Sequence, residues 1–411
     1  MTRTRVLLLL FSVHIASSAT AETLDRDAVL RLARERAVAI RIADAREEGA
    51  AGSLRAAATW RFNPELELEG GPRRGPADRT WDRSIGLSQR LDLAGRGARI
   101  DAAGAALDAV EHDRRYTGIA VAALAARLHL EAVHAAYARR VASEGVGLHD
   151  RLLEIAQRRM EAGETGRIDV HQASIAAARA RIRLATAEAA ENGALAELAD
   201  LLALEPGRRI AVTGELEWPA PGNEHDISAA VENHPEITAL EARSRAGAAE
   251  IRIADAARWP EVGVGASYGR EEEAEILHFG LSFGLPVFER GQGDRRIAAA
   301  GLRIAEIELE AARRSRTDRA QRAWHRYLGL AAALGATDTM TIEAVAASGN
   351  LAEQSYRLGE IPLDRVLLIQ RDNLDAEYEM NDLRLAAALA ALQVAEIAAL
   401  PPLVDGKEDA R

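Results

Sequence analysis

Cysteine is absent from the 411 residues. Its absence excludes a disulfide scaffold, a thiolate-ligated metal, a thiol nucleophile and the acylated cysteine of a lipoprotein. Aromatic side chains make up only 4 %, too little bulk for two ordinary globular cores. Among 52 basic residues the one lysine is Lys407. A formal net charge of −11 lacks the basic excess that binding a polyanion requires, so nucleic acid is not an expected partner. Long apolar runs are missing too. After the N-terminal segment none is long enough to cross a membrane as a helix, so any insertion must use strands. Alanine is abundant, about a fifth of the chain, with Leu, Glu and Arg; this is the composition of long, slender, close-packed helices.

Arg3 and Arg5 precede an apolar run from Val6 to Val13, and Ala19-Thr20-Ala21 places small residues where a signal peptidase cuts. Residues 1–21 therefore read as a cleaved signal peptide, with the mature chain beginning near Glu22 outside the cytoplasm.

The rest is one unit written twice. An offset of 196 residues superposes Pro64 on Pro260, Gly95 on Gly291, Gly97 on Gly293, Gly163 on Gly359, Glu164 on Glu360, and Pro206 on Pro402. Glycine and proline fix chain reversals, so sharing them means sharing turns. The first copy is assigned to 22–204, with a hairpin at 63–93 and long helices over 94–204. The second covers 227–400, with a hairpin at 260–288 and long helices over 294–400. Residues 205–226, rich in Pro and Gly, read as a linker, and 401–411 as a polar tail.

Each copy is expected to run helix, two strands, long helix, helix. Leu66 and Leu68 alternate with Glu65, Glu67 and Glu69; Ile85 and Leu87 alternate with Ser84 and Ser88. In the second copy Val262 and Val264, then Phe279, Leu281 and Phe283, alternate with small or polar residues. Period two with one apolar face marks strands. Four strands cannot close a barrel, and nothing else in the chain reads as strand, so other chains must complete the sheet. The pattern suits a transmembrane barrel with an apolar lipid face; a small soluble sheet packed on helices remains the alternative. Trp60, Trp81 and Trp259 are expected just outside strand ends, where an interfacial aromatic belt sits. The helices lack proline from Ala98 to Met160 and from Arg295 to Leu358, with Gly145, Gly147 and Gly335 as candidate interruptions. Ile168, Ile175, Ile182 and Ala189 recur every seven residues, as in a coiled-coil seam.

Catalytic chemistry has no foothold. His129 and His134 are five apart, off the one-face spacing of a zinc motif, and the sequence holds no nucleophile elbow, phosphate-binding loop or dinucleotide fingerprint. No enzyme activity, metal site or cofactor is expected.

Two motif pairs carry a resemblance to the TolC-type outer-membrane efflux protein family. Leu87-Ser88-Gln89-Arg90-Leu91-Asp92-Leu93-Ala94-Gly95-Arg96-Gly97 and Leu285-Pro286-Val287-Phe288-Glu289-Arg290-Gly291-Gln292-Gly293 resemble its strand-to-helix passages. The segments Arg159 to Val170 and Tyr356 to Asp364 resemble its helix-tip turns, and the second passage looks most like the heavy-metal, CzcC-type branch. The resemblance implies a mainly α fold with a small β part. Long antiparallel coiled-coil helices would form a periplasmic α-barrel, and four strands per chain would build a twelve-stranded barrel in a homotrimer. Leu66, Leu68, Ile85, Leu87, Val262, Val264, Phe279, Leu281 and Phe283 would then face outer-membrane lipid. The tips, Gly163, Glu164, Thr165, Gly166, Gly359, Glu360, Ile361 and Pro362, would dock a periplasmic adaptor serving a resistance-nodulation-division inner-membrane pump. Asp169, Tyr356, Asp364 and Arg365 become aperture or gating candidates, with Ile361 where the family carries a basic link. The implied role is a passive exit duct, with heavy-metal cations as implied cargo. A type I secretion duct and a soluble periplasmic coiled-coil scaffold are the alternatives.

Overall fold

A computed structural model of the chain describes residues 22–74, 79–205, 207–271 and 274–404. The expected signal peptide, the end of the polar tail, and Pro206 lie outside the described residues. In order the elements are β1 (Glu22–Leu24), α1 (Arg26–Arg36), α2 (Val38–Ala58), β2 (Glu65–Arg74), β3 (Arg79–Leu91), α3 (Arg96–Glu161) and α4 (Arg167–Leu201). They continue with β4 (Ile210–Val212), α5 (Glu224–Glu232), α6 (Pro235–Ala256), β5 (Glu261–Glu271), β6 (Ala274–Gly284), α7 (Gln292–Arg357) and α8 (Leu363–Ile397). The long helices α7 and α8 start at Gln292 and Leu363, each 196 residues after the starts of α3 at Arg96 and α4 at Arg167.

Two helices precede each hairpin, not one. Asp25 caps α1 by accepting from the Ala28 N–H at 2.8 Å, and the extended backbone of Ala37 separates α1 from α2. In the second copy Asn223 accepts from the Asp226 N–H at 3.0 Å and starts α5 inside the expected linker. His234 Nδ1 accepts from the Glu236 N–H at 3.1 Å, with Pro235 in the first helical turn of α6. These polar caps at breaks in apolar periodicity are what split the helices.

The linker holds a further surprise. β4 pairs in parallel with β1 in a separate two-stranded sheet, Leu24 opposite Val212. Three-residue strands are too short to show alternation, which is why the sequence pattern passed over them. Glycine does not interrupt the long helices: α3 runs through Gly145 and Gly147, and α7 through Gly335. With 66 residues each, α3 and α7 are about 100 Å long. Against the expectation that no later run could span a membrane as a helix, one stretch of α3 is apolar enough in length and composition to do so, but 61 % of it is buried inside the chain.

Three cores divide the length. The largest gathers Leu24, Val29 and Leu30, the middle of α3 around Leu128 and Leu130, the ends of α4 and α8, and Trp218 of the linker. A second joins Ile227 and Val231 to Ala320, Trp324 and Val394. A third, at the far end, packs Leu152, Ala156, Ala173, Ala352, Tyr356, Leu363 and Val366. Alanine dominates because small side chains let long helices approach closely over many turns.

Candidate functional site

The far end of the molecule is built from two turns of identical design. Gly163 and Gly359 have φ of 77° and 78°, a left-handed conformation open to residues without a Cβ. The Glu164 N–H reaches back to Arg159 O at 2.9 Å and the Gly163 N–H to Met160 O at 3.0 Å. The Glu360 N–H reaches Ser355 O at 2.9 Å and the Gly359 N–H reaches Tyr356 O at 3.0 Å. Both are Schellman caps, satisfying the last carbonyls of α3 and α7. Gly166 and Pro362 then provide extended residues from which α4 and α8 begin.

Arg159, which sequence reasoning quoted in a motif but gave no role, joins the two turns. Its Nη1 donates to Tyr356 O at 3.0 Å, its Nε donates to Glu164 at 3.2 Å, and its guanidinium lies 5.1 Å from the centre of the Tyr356 ring. Nothing in sequence spacing links position 159 to 356; only the packing of the two tips does. Tyr356 is 1 % exposed. Burial pushes its hydroxyl pKa up, with Arg159 and Asp169 close enough to act on it. It therefore faces the core of its own chain and presents no free surface, unlike the other aperture candidates Asp364 and Arg365, which are exposed. Asp169 is half-buried in the first turn of α4, and Asp364 occupies the first turn of α8. A carboxylate there also favours the helix N-terminus. Among the docking candidates Gly163, Glu164, Gly166, Gly359, Glu360 and Pro362 are exposed, whereas Thr165 and Ile361 are half-buried.

At the opposite end β2, β3, β5 and β6 form an antiparallel sheet in that order. The register sets Leu66 opposite Leu87 and Leu68 opposite Ile85, then Leu87 opposite Ala266 and Ile85 opposite Tyr268. It continues with Val262 opposite Phe283, Val264 opposite Leu281 and Ala266 opposite Phe279. Directly paired residues share a face, so all nine predicted apolar positions lie on one side. Among the described residues nothing covers it: Leu68 is 70 % exposed, Phe279 80 % and Leu281 69 %. Both outer strands, β2 and β6, have a free edge within the chain. The other face carries Glu65, Glu67, Glu69, Asp82, Ser84, Ser88, Arg90, Glu271 and His278, with Arg73 held between Asp82 and Glu271 at 2.7 Å each.

The strands extend further than alternation suggested. β2 continues through Pro72 to Arg74 and β3 starts at Arg79, so Trp81 lies within β3 and not outside it. Pro72 resembles a turn signal, but an edge strand tolerates a residue without an N–H. Trp60 and Trp259 do precede β2 and β5, and both are exposed.

Between the two ends, several polar side chains have structural partners. His129 is buried and meets Thr213 O at 3.1 Å; His134 meets Asp382 at 2.7 Å. Among the described residues no cluster of three His, Asp or Glu side chains is placed to hold a metal. Arg316, 3 % exposed, pairs with Glu236 and donates to Ile397 O at 2.9 Å. Beside it His234 is fully buried, and desolvation, aided by the Arg316 charge, lowers its pKa to about 4.

Against known proteins, a sequence profile described as Outer membrane efflux protein matches residues 29–204 and 227–399. The pyoverdine export outer membrane protein OpmQ of Pseudomonas putida is 29 % identical over 334 residues, covering 75 % of this chain and 68 % of that protein. Protein CyaE of Bordetella pertussis is 29 % identical over 241 residues, 55 % of this chain and 50 % of its own length. Among solved structures, CusC aligns with a TM-score of 0.75 at 18 % identity, covering 91 % of each chain. The Campylobacter jejuni CmeC outer membrane channel aligns at 0.76 and 15 %, covering 93 % of this chain and 88 % of that one.

Proposed function

The chain belongs to the outer membrane efflux protein family, and from that premise we propose that three copies assemble edge to edge into one channel. As a member of that family it is a passive efflux channel and not an enzyme. The observation that carries the trimer is the open sheet: one apolar face exposed, one polar face, and two free edges, β2 and β6. A sheet with unpaired edges invites pairing, and joining β2 of one copy to β6 of the next in a ring removes every edge. The apolar face then meets lipid and the polar face lines the lumen. Helices attach at one end of the strands, so the opposite strand ends, at Arg74 and Glu271, face outward and the helices extend into the periplasm. Residues 1–21 act as the signal peptide that delivers the chain there.

The test is a pair of charges on the apolar face. Leu281→Asp with Phe283→Asp should abolish recovery of a detergent-extracted trimer from separated outer membranes. Undiminished trimer would overturn the barrel.

In this reading the tips Gly163 to Gly166 and Gly359 to Pro362 dock the adaptor, which must bind an open arrangement better than a closed one to drive opening. Arg159 is the cation that ties the two tips, the exposed Asp364 and Arg365 are the side chains offered to the aperture, and Asp169 lies near Tyr356. For cargo, the acidic lumenal face from Glu65 to Glu69 favours heavy-metal cations. The relative whose name gives pyoverdine export supports a small organic cargo as the second reading. Deleting the gene should lower the tolerated concentration of divalent metals such as cobalt, zinc or cadmium; unchanged metal tolerance would leave the organic reading.

A further inference from the structure

On the apolar face of the sheet, toward the hairpin end, like charges meet across strands. The register puts Arg83 of β3 directly opposite Arg270 of β5. Both are exposed, and neither makes an ion pair among the described residues. Cross-strand neighbours of one sign destabilise a sheet. On the opposite face at the same height the charges are matched, because Arg73 is held by both Asp82 and Glu271 at 2.7 Å. On the apolar side the nearest carboxylate in register is Glu275, opposite Arg270, while Arg74 adds another exposed cation two residues beyond Pro72. The patch keeps a surplus of positive charge.

Its surroundings say what it meets. Ile85 and Tyr268, paired on the same face, mark the edge of the apolar band next to the arginines. On the outward side Trp81 is 66 % exposed, and its indole leans across Gly70, the residue opposite Arg83. From Leu91 to Arg83 along β3 is about 26 Å at 3.3 Å per residue. The arginines therefore sit at the outer limit of a hydrocarbon layer, between an aliphatic band and an aromatic rim. An anion placed there has to bring an apolar body with it. Two guanidiniums on adjacent strands, with Cβ atoms about 5 Å apart, can bracket one tetrahedral oxyanion, each offering a planar fork of N–H donors.

We propose that Arg83 and Arg270, with Arg74 beside them, hold the phosphate of a phosphorylated glycolipid of the outer leaflet against the outside of the sheet. This rests on the barrel reading given above. Bound phosphate turns the repulsion between the arginines into a bridge between β3 and β5, which belong to different halves of the duplicated chain. It thus joins the two hairpins at their outward end.

The test uses the full chain extracted from outer membranes in detergent. It is titrated with lipid A carrying its phosphates and with the same lipid A dephosphorylated, and bound lipid is counted by native mass spectrometry. The wild type should prefer the phosphorylated form by about tenfold, and Arg83→Gln with Arg270→Gln should lose that preference, as expected for charge-assisted hydrogen bonds. Arg83→Lys with Arg270→Lys, which keeps the charge, should retain part of it. Equal binding of the two lipids by assembled wild type, or an undiminished preference in the Gln variant, would overturn the assignment. If the double Gln variant does not assemble, the single variants carry the same two outcomes. A wild-type chain that fails to extract as a membrane assembly would instead overturn the barrel reading itself.

Discussion

Helices α3 and α7 occupy equivalent places in the two halves, each 66 residues long and each ending in a glycine cap, yet they live in different surroundings. α3 is packed against α1, α2, α4, α6 and α8 and buries side chains from Ala102 to Ala156. α7 meets α5, α6 and α8; its buried positions include Arg316, Ala320, Ala323, Trp324, Ala352 and Tyr356, while Ile297, Ile304 and Ile307 stay exposed. On α4 the heptad positions Ile168, Ile175 and Ile182 are 64 %, 55 % and 66 % exposed. Duplication thus set the lengths and turns, and asymmetry in packing divided the labour. One helix became the centre of the chain, and the other kept an exposed apolar stripe.

The largest expected effect separates the two helices directly. Leu130→Ala in α3 removes a side chain 1 % exposed and should cost about 2–5 kcal/mol, read as a lowered Tm by circular dichroism. Ile304→Ala in α7, 57 % exposed, should leave the helical signal of the chain intact and shift trimers toward monomers on sizing with light scattering. Similar unfolding by both, with no change in oligomer, would erase the distinction.

Next is the anchor that holds α7 to α6 and α8. Glu236→Ala leaves the buried Arg316 guanidinium with the Ile397 carbonyl but without its ion-paired carboxylate. A stranded buried charge should cost about 3 kcal/mol in denaturant unfolding. Replacing an exposed pair such as Arg314 with Glu310 should change little.

The same anchor gives a pH dependence. His234 titrates near 4 in the folded chain, against about 6.5 when unfolded. Above 6.5 it is neutral in both states. As pH falls from 6.5 to about 4 the unfolded chain takes up a proton that the folded chain refuses, so stability declines by up to about 3 kcal/mol. Below 4 this contribution stops changing. His234→Asn should flatten the stability curve across that window; an unaltered slope would assign it to other groups.

The smallest effect compares the two tips. Gly163→Val and Gly359→Val each place a β-branched residue at positive φ, which should cost about 1–2 kcal/mol. In both, thermal stability should fall to a similar extent, but Gly359 also lies beside Arg159, 3.5 Å from where a Cβ would stand. The second variant should therefore loosen the Arg159 contact to Tyr356 as well, seen as faster hydrogen exchange at the tip.

Much of this molecule was legible beforehand, for reasons visible in particular residues. Alternation at Leu66, Leu68, Ile85 and Leu87 identified a face because period two is a property of the extended chain itself. Gly163 and Gly359 identified the tips because a left-handed cap admits few other residues. Arg159, Trp218 and the anchor at Arg316 left no such mark. Their partners stand far away along the chain, and an arginine that ends in a buried pair looks in sequence like one that ends in water. The three-residue strands β1 and β4 escaped for a different reason, being too short to carry a period.

By itself the sequence determined the elements, their duplication and the turns that join them, since these rest on backbone conformation and local periodicity. Only the tertiary structure decided which of two equal helices lies at the centre, that Tyr356 points inward, and that Arg83 stands against Arg270. Each of those is a contact between segments distant along the chain, and its energy depends on a proximity that no local pattern encodes.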